Sequence, residues 1–511
     1  MEVRRRIAII GAGTSGLLAC KYALSKGFDP IVFEAKDSIG GVWIKTLETT
    51  KLQTPKVAYQ FSDFPWSESV ADMFPDQQQV LAYLHSYANH FGLHHHIQLN
   101  TKVLGINFRG PSDGEMQAWS FWGGTGHPFS PAWKWDLQVQ NTQTLSTQLH
   151  EVEFVILCVG RFSDIPNVPE FPPGQGPEVF RGEVIHAMEY ANMDKDSARA
   201  FVKGKRVTVV GLQKSALDIA LECSSANGVE SPCRVLYRTE HWNVPDYLPW
   251  GVPLAHLYLN RFAELMVHKP GEGLLLSLVA SFLAPLRWAA SKFVESHIKT
   301  KLRLAKFGMV PKHSFLQALN SCTISMVPDM FYDMVEEGSI VLKKAPNSFS
   351  FYKDGIVVHG QNNETLETDV VILATGFRGE KKIEHMFHDS IFRDSILGSP
   401  NAAAPLYREC IHPRVPHLAV IGLSESLTNL YTSEIRCRWV GELLDGKMKL
   451  PSIKEMEKEV AEWDAYMKRS SGGRGRGYYR RSCIGGLHIW YNDQLCRDMG
   501  WNPYRKNGFF C

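Results

Sequence analysis

The sequence lacks closely spaced cysteines and a strong charge of one sign. Its ten cysteines are scattered between Cys20 and Cys511 without a Cys-x-x-Cys pair. This spacing excludes a zinc ribbon and a dithiol redox motif, and it predicts reduced, mostly buried thiols. Lys and Arg number 55 against 53 Asp and Glu, so the charge balance does not indicate a nucleic-acid partner. One short basic run, 470–481, is predicted to be a flexible loop.

Long apolar runs are also scarce. The run after the charged N-terminus, residues 7–10, is too short for a signal-peptide core, so a cytoplasmic protein is expected. Residues 274–290 are interrupted by Pro285 and Arg287 and fall short of the roughly 20 residues of a transmembrane span. We predict a buried helical hairpin here. The alternative is peripheral contact with a membrane, such as the cytosolic face of the endoplasmic reticulum.

Residues 6–43 have the pattern of a strand, a tight turn and a helix that bind a dinucleotide. Residues 7–10 are a buried-strand run, and Gly11, Gly13 and Gly16 complete the glycine pattern before a helical segment. A second strand ends at Glu34, where a carboxylate accepts hydrogen bonds from ribose hydroxyls and repels a 2′-phosphate. The unit therefore favours FAD or NAD over NADP. Its candidate cofactor-binding residues are Gly11, Ala12, Gly13, Thr14, Ser15, Gly16 and Glu34.

A second unit of this kind begins at residue 206. The strand “RVTVV” is followed by “GLQKSA”, a helical segment and the strand “RVLYR”, which ends at Arg238. An arginine at this place accommodates the 2′-phosphate of NADPH. Gln213 replaces the second glycine of the pattern, and the neighbouring Lys214 could supply compensating charge. The candidate NADPH-binding residues are Gly211, Leu212, Gln213, Lys214, Ser215, Ala216 and Arg238.

Two similar strands suggest how the units are connected. Residues 154–162 and 370–378 are buried-strand runs that reach Gly160 and Gly376, and we predict that the chain leaves the first unit at the former and returns to it at the latter. The predicted fold class is α/β with two Rossmann-like dinucleotide-binding domains, the NADPH domain being inserted in the FAD domain. The predicted limits are 1–185 and 346–511 for the FAD domain and 186–345 for the NADPH domain, with a helical insertion at about 245–330. The run His94 to His96 is predicted to be a solvated loop, and no metal site is predicted.

Four segments carry a resemblance to a known family. “GAGTSG”, “GGVW” at 40–43, “FRGEVIHAMEY” at 180–190 and “LATGF” at 373–377 together resemble the class B flavin-dependent monooxygenases. The family fingerprint Phe-x-Gly-x-x-x-His-x-x-x-Tyr matches Phe180, Gly182, His186 and Tyr190. Residues 50–66 and “GLQKSALDIA” are most similar to the plant N-hydroxylating, pipecolate N-hydroxylase-like members.

The resemblance implies a mechanism and further site residues. NADPH reduces FAD, O2 forms a C4a-hydroperoxide on the flavin, and a soft nucleophile takes one oxygen atom. It assigns Gly41 and Trp43 to FAD, and it places Gly376 and a helix beginning near Thr432 against the flavin. His186 and Tyr190 are expected to fix the joint between the domains. Gln53 is the one candidate catalytic residue, because many relatives carry an asparagine there.

The implied substrate is a small amine or amino acid such as pipecolate, which would be N-hydroxylated. S-oxygenation of a thioether, decarboxylative oxidation of indole-3-pyruvate and lactone formation from a ketone are alternatives within the family. A flavin disulfide reductase would need a cysteine pair close to the flavin, which neither unit contains. A nucleotide-binding regulatory protein without turnover is the non-enzyme alternative, and the oligomeric state is left open.

Overall fold

The computed structural model describes residues 4–360, 362–399, 402–470 and 483–504. The basic run predicted at 470–481 lies outside these ranges except for Ser470, which ends a helix, and Cys511 also lies outside them. The run at 94–96, predicted as a loop, forms a short 3-10 helix, Leu93–His96.

The strands of the described residues are short and lie in five groups. They are β1 Arg6–Ile10, β2 Asp29–Phe33, β3 Ile97–Gln98, β4 Thr101–Arg109, β5 Lys134–Asn141, β6 Thr147–Val152, β7 Phe154–Leu157, β8 Glu183–His186, β9 Val207–Val210, β10 Cys233–Tyr237, β11 Asn243–Val244, β12 Ser325–Met326, β13 Ile340–Lys344, β14 Ser348–Tyr352, β15 Gly355–His359, β16 Glu364–Glu367, β17 Val370–Leu373 and β18 Leu418–Val420.

The α-helices pack around these strands and between them. They are α1 Thr14–Ser25, α2 Gln77–His90, α3 Asp113–Gln117, α4 Ala187–Tyr190, α5 Lys195–Val202, α6 Lys214–Asn227, α7 Leu254–Tyr258, α8 Arg261–Leu265, α9 Leu274–Lys301, α10 Phe315–Asn320, α11 Phe331–Glu337, α12 Glu380–Glu384, α13 Ser390–Leu397, α14 Asn429–Leu444, α15 Ile453–Ser470 and α16 His488–Asp498.

Two five-stranded parallel sheets form the two nucleotide units. The first has the order β18-β7-β1-β2-β3 and the second the order β13-β10-β9-β17-β8. Their central strands are apolar on both faces because helices cover one side and a three-stranded antiparallel sheet covers the other. The sheet β4-β5-β6 covers the first unit, and β14-β15-β16 covers the second. The predicted α/β class with an inserted second unit is confirmed.

The connection between the units follows the two predicted strand ends. The chain leaves the first sheet after β7 and returns to the first unit after β17, which itself pairs with β9 and β8 in the second sheet; Ile383 and Phe387, just beyond Gly376, pack in the core of the first unit. The strand that re-enters the first sheet is β18, which pairs with β7. β8 spans the predicted limit at 185/186, and β17 belongs to the second sheet although it lies beyond the predicted limit at 345/346. The sheets therefore divide the chain at other places. Buried β-strands look alike in sequence, and only pairing partners distant in the chain decide which sheet each one joins.

The predicted helical hairpin at 274–290 is wrong. The segment forms the first half of a single helix, α9, with Pro285 inside it. α9 is the one helix in the described ranges that is long and apolar enough to cross a membrane, judged by length and composition alone. Only 11% of its most apolar 18-residue stretch is buried.

The expectation of reduced cysteines is also corrected at one pair. Cys322 and Cys483 form a disulfide that joins positions 161 residues apart in the sequence. It links the helical insertion to the segment before α16. The other described cysteines are buried thiols outside any disulfide, as predicted. Sequence spacing could not reveal the pair, because the fold alone brings the two segments together.

Candidate functional site

The first glycine loop connects β1 to α1 through a tight turn. Gly11 has a φ of +102°, and a Cβ there would stand 2.6 Å from the carbonyl oxygen of Cys158 in the adjacent strand. A Cβ on Gly16 would stand 1.8 Å from the carbonyl oxygen of Gly11. Both positions therefore require glycine. The first backbone N–H groups of α1 have no partner within the helix and are available to an anionic group.

Glu34 follows β2 and is buried beside this loop, with 7% of its surface exposed. One carboxylate oxygen accepts a hydrogen bond of 2.7 Å from the backbone N–H of Ala12, and the other accepts one of 3.0 Å from Lys36. These bonds fix the carboxylate against the loop. Each oxygen retains accepting capacity, which suits ribose hydroxyls and opposes an additional phosphate.

A second segment of backbone approaches the first loop closely. A Cβ on Gly13 would stand 3.3 Å from the Cα of Gly41. Trp43 follows on the same turn, and its indole N–H donates a 2.9 Å hydrogen bond to the hydroxyl of Tyr59. Burial raises the pKa of Tyr59, although its bonds with Thr14 and Trp43 oppose the rise. A neutral phenol therefore holds the tryptophan at the edge of the loop.

The second glycine loop connects β9 to α6. Gly211 has a φ of +139°, and a Cβ there would stand 2.5 Å from the carbonyl oxygen of Ala374. Gln213 is the N-cap residue of α6, and its side chain makes no capping hydrogen bond. Leu212 and Ala216 are buried. The loop therefore has the backbone of a dinucleotide-binding turn although it contains only one of the three glycines.

Lys214 is paired rather than free. Its ammonium lies 2.5 Å from the carboxylate of Asp218, one turn further along α6. Asp218 is buried and accepts a second hydrogen bond of 2.9 Å from the hydroxyl of Thr50 in the first unit. Burial raises the pKa of Asp218, and the charge of Lys214 opposes the rise. The lysine therefore neutralises a carboxylate of its own helix, and that carboxylate joins α6 to the first unit.

Arg238 directly follows β10, and its side chain is exposed. In the part of the chain that the structure describes, no carboxylate forms an ion pair with it. A free guanidinium at the carboxyl edge of the second sheet can bind phosphate oxygens in a bidentate manner.

Both loops open into one cavity of about 2100 Å³. Of the candidate residues predicted from the sequence, Ala12 and Gly16 lie behind its wall. The others line it: Gly11, Gly13, Thr14, Ser15, Glu34, Gly41, Trp43, Gln53, Gly211, Leu212, Gln213, Lys214, Ser215, Ala216, Arg238 and Gly376. The structure thus brings together two nucleotide-type loops that are about 200 positions apart in the sequence, so a two-cofactor site is geometrically available.

Gln53 joins the first unit to the helical insertion. Its side-chain oxygen accepts a 3.1 Å hydrogen bond from the backbone N–H of Met326, and its carbonyl oxygen accepts one from the hydroxyl of Tyr247. These contacts place the residue at the cavity wall with one side-chain oxygen already engaged. Its assignment as a catalytic residue stays a prediction.

His186 is held in one neutral form at the connection between the units. Its Nδ1 accepts a hydrogen bond of 3.1 Å from Met188, and its Nε2–H donates one of 3.0 Å to the carbonyl of Gly376. The same carbonyl accepts a 2.9 Å bond from the backbone N–H of Asn167. Burial lowers the pKa of His186, so the imidazole fastens two crossing segments together and does not act as a cation.

The sequence analysis missed a polar group beside the start of α14. This helix begins at Asn429, slightly before the predicted Thr432. Ser426 and Thr428 line the cavity, and both contact the imidazole of His488, at 3.4 and 3.1 Å. Burial lowers the pKa of His488 to about 4. No signal in the sequence connects these residues, because His488 lies in a different helix.

The described residues of the site provide the groups that hold two nucleotides. Among the described residues no cluster of His, Cys, Asp or Glu could hold a metal ion. The loops, Glu34 and Arg238 fit FAD in the first unit and NADPH in the second. The flavin, when bound, supplies the oxygen chemistry. The chain's own residues bind, orient and exclude water.

Comparisons with known proteins agree with this arrangement. A model of the flavin-binding monooxygenase-like family matches residues 4–503. The chain is 40% identical to the Arabidopsis thaliana protein named probable flavin-containing monooxygenase 1, over 99% of this chain and 93% of that protein.

Two solved structures share the fold. Oxidized steroid monooxygenase bound to NADP has a TM-score of 0.65 at 18% identity, covering 98% of this chain and 99% of that one. S-allyl-L-cysteine S-oxygenase from Allium sativum has a TM-score of 0.58 at 17% identity, covering 98% and 89%. The family match over nearly the whole chain shows that this protein belongs to the flavin-binding monooxygenase-like family, whose members use FAD and NADPH to oxygenate their substrates.

Proposed function

We propose that this monooxygenase N-hydroxylates a small amine or amino acid such as pipecolate, and that it acts in the cytoplasm. The observation that carries the proposal is the single cavity onto which both nucleotide loops open. The flavin of this family, when bound, supplies the oxygen atom, so the substrate itself must supply the electron pair that accepts it. Nitrogen and sulfur are the soft nucleophiles that meet this requirement.

The polar groups of the cavity wall favour a small polar substrate. Ser325, Ser426, Thr428 and Asn429 line the cavity together with Gln53. Hydroxyl and amide groups can hold both the carboxylate and the amine of an amino acid. Apolar side chains of the insertion complete the wall, namely Leu254, Tyr258, Phe315 and Leu319. A cavity with both kinds of surface suits a compact ring or chain that carries polar groups at one end.

The first experiment identifies the product. Purified protein is supplied with FAD, NADPH, isotopically labelled O2 and, separately, pipecolate, S-allyl-L-cysteine or indole-3-pyruvate. We expect a hydroxylamine that contains one labelled oxygen atom and that forms in proportion to the NADPH consumed. If a sulfoxide is the only product, the activity is S-oxygenation and not N-hydroxylation. If a decarboxylated acid is the only product, the activity is decarboxylative oxidation. No NADPH oxidation with any substrate would favour a regulatory protein without turnover.

The pH dependence separates an amine from a thioether independently of product analysis. An amine is nucleophilic only when deprotonated, and its pKa of about 10 leaves a small neutral fraction at neutral pH. The value of kcat/KM for an amine should therefore rise as the pH increases through the alkaline range. A thioether has no proton to lose, so its profile should lack this rise. A flat profile for the preferred substrate would contradict N-hydroxylation.

A further inference from the structure

We propose that the exposed half of α9 docks peripherally on an anionic membrane surface. The apolar face is defined by Leu274, Leu275, Leu278, Phe282, Leu286 and Trp288. These side chains are between 48% and 84% exposed. A surface helix of a soluble protein normally presents charged and polar residues to water. Here the outward side of the helix carries no charged residue before Lys292. An exposed apolar surface of this kind indicates an interaction site.

α9 is built to lie on a membrane rather than to cross it. Its second half is anchored in the protein, because the carboxylate of Glu295 accepts a 2.9 Å hydrogen bond from the backbone N–H of Phe315. Val294 and Ile298 are fully buried on the same half. The exposed part from Leu274 to Trp288 spans only about 22 Å at 1.5 Å per residue, less than the thickness of a hydrocarbon core.

The inner side of the exposed half contacts the body of the protein. The guanidinium of Arg287 lies 3.4 Å from the side-chain oxygen of Asn320 on α10, and Ala280 is buried. The helix is therefore laid along the surface, with one side on the protein and the other side outward. This is the geometry of an amphipathic interfacial helix, whose apolar side enters the boundary between headgroups and acyl chains.

The charge distribution favours a membrane over a protein partner. The exposed charges of α9 are all cationic: Lys292, Lys299 and Lys301 have side chains that are 45%, 40% and 55% exposed. Glu295, the only carboxylate of the helix, has a side chain that is 2% exposed and lies 2.7 Å from the ammonium of Lys292 and 4.0 Å from that of Lys299, so the cations face outward and the anion inward. Asp246 pairs with Lys301 and is partly buried. An apolar face that ends in exposed lysines matches a bilayer with anionic headgroups.

Two tryptophans mark the border between the apolar and cationic parts. Trp288 is 62% exposed, with the ammonium of Lys292 at 5.9 Å from its ring. Trp250 is 52% exposed, and its indole N–H donates a 2.9 Å hydrogen bond to the hydroxyl of Ser296 on α9. Amphipathic indole rings are favoured at the headgroup level of a bilayer.

Vesicle flotation with the full-length, FAD-loaded protein tests this surface. The vesicles consist of phosphatidylcholine alone or of an equimolar mixture of phosphatidylcholine and phosphatidylserine. We expect the protein to float with the mixed vesicles and to bind phosphatidylcholine more weakly. The paired substitution Leu278→Asp with Phe282→Asp should reduce the bound fraction roughly tenfold or more, because a charge replaces each of two exposed apolar side chains that would enter the bilayer.

A matched control places the same charges on apolar residues elsewhere on the surface. Leu149 and Val229 are 71% and 53% exposed, and Leu149→Asp with Val229→Asp should leave flotation unchanged. Lys299→Gln, which leaves Lys292 as the close partner of Glu295, should weaken binding to the mixed vesicles alone. Bound FAD and NADPH oxidation should be retained in all variants, which separates lost docking from lost folding. If a variant loses FAD, Phe282→Ser replaces the aspartate pair.

Three results would overturn the proposal. One is wild-type protein that floats with neither kind of vesicle, and another is an apolar-face variant that floats like the wild type. The third is a dimer in sedimentation velocity that Leu278→Asp with Phe282→Asp converts to a monomer without any vesicle binding. That outcome would assign the face to a second copy of the chain.

Discussion

The two glycine loops stand at equivalent positions of their sheets but differ in how tightly they close. In both, the first glycine passes beside a carbonyl of the neighbouring strand, that of Cys158 or Ala374. In the first loop the third glycine allows no side chain, whereas the second loop accommodates the methyl group of Ala216. That methyl lies 3.3 Å from the point where a Cβ on Gly211 would stand. The first glycine therefore defines the turn, and the residue at the third position sets how closely the helix approaches the strand.

The loops also differ in charge. The first has no charged residue between Gly11 and Gly16, and its strand pair ends at a buried carboxylate, Glu34. The second contains Lys214, which is paired with Asp218, and its strand pair ends at an exposed Arg238. We therefore predict that discrimination between the two cofactors rests on the residue after the second strand and not on the loop itself.

The largest expected effect is that of a methyl group at the third loop position. Gly16→Ala should lower the free energy of unfolding by more than about 3 kcal/mol and release FAD, because backbone atoms must move apart. The reciprocal change Ala216→Gly should cost only about 1 kcal/mol, the loss of helix propensity. Flavin absorbance and thermal unfolding measure both. Equal effects of the two changes on unfolding would contradict the inferred steric difference between the loops.

The next effect concerns the ion pair of the second loop. Lys214→Met leaves the buried carboxylate of Asp218 without its cation and should lower the free energy of unfolding by about 2 kcal/mol at neutral pH. Burial already raises the pKa of Asp218. The folded state therefore binds a proton at Asp218 more readily than the unfolded state does, and this contribution to stability is lost as the pH rises through the folded-state pKa.

Urea unfolding of this variant should show a larger deficit at about pH 8 than at about pH 5, because a protonated Asp218 needs no counter-charge. Lys195→Met, at an exposed position on α5, is the control and should change little at either pH. A deficit that grows as the pH falls would contradict the role given to the pair.

A smaller effect is expected on cofactor preference. Arg238→Ala should weaken NADPH binding by about 1 to 3 kcal/mol while NADH binding changes little, because only the 2′-phosphate loses a charged partner. KM values for both dinucleotides provide the measurement. Arg393→Ala removes the same charge from an arginine that does not line the cavity and should leave the preference intact. An unchanged preference in the Arg238 variant would place the phosphate elsewhere.

The smallest effect is that of restoring the missing glycine. Gln213→Gly should tighten NADPH binding or leave it unchanged, because the side chain makes no capping bond and glycine is a favourable N-cap residue. Stability should change by no more than a few tenths of a kcal/mol. A large loss of NADPH affinity would show that the glutamine side chain is itself a ligand.

The sequence was sufficient for the nucleotide units but not for their surroundings. Alternation of apolar strands, glycine turns and helical runs is local, so both units and the family resemblance are confirmed. The environments of Gln53 and Ser426 depend on residues from distant segments, such as Met326 and His488, and no local pattern encodes these contacts.

The two loops, the acidic and basic residues after their second strands, and hence the predicted type of each nucleotide site all follow from the sequence alone. Tertiary structure decided that β17 joins the second sheet, that Cys322 meets Cys483, and that half of α9 remains outward. The physical reason is the range of the interactions. Turn sterics and charge act between neighbours in the chain, whereas strand pairing, disulfide geometry and burial depend on which distant surfaces the fold brings together.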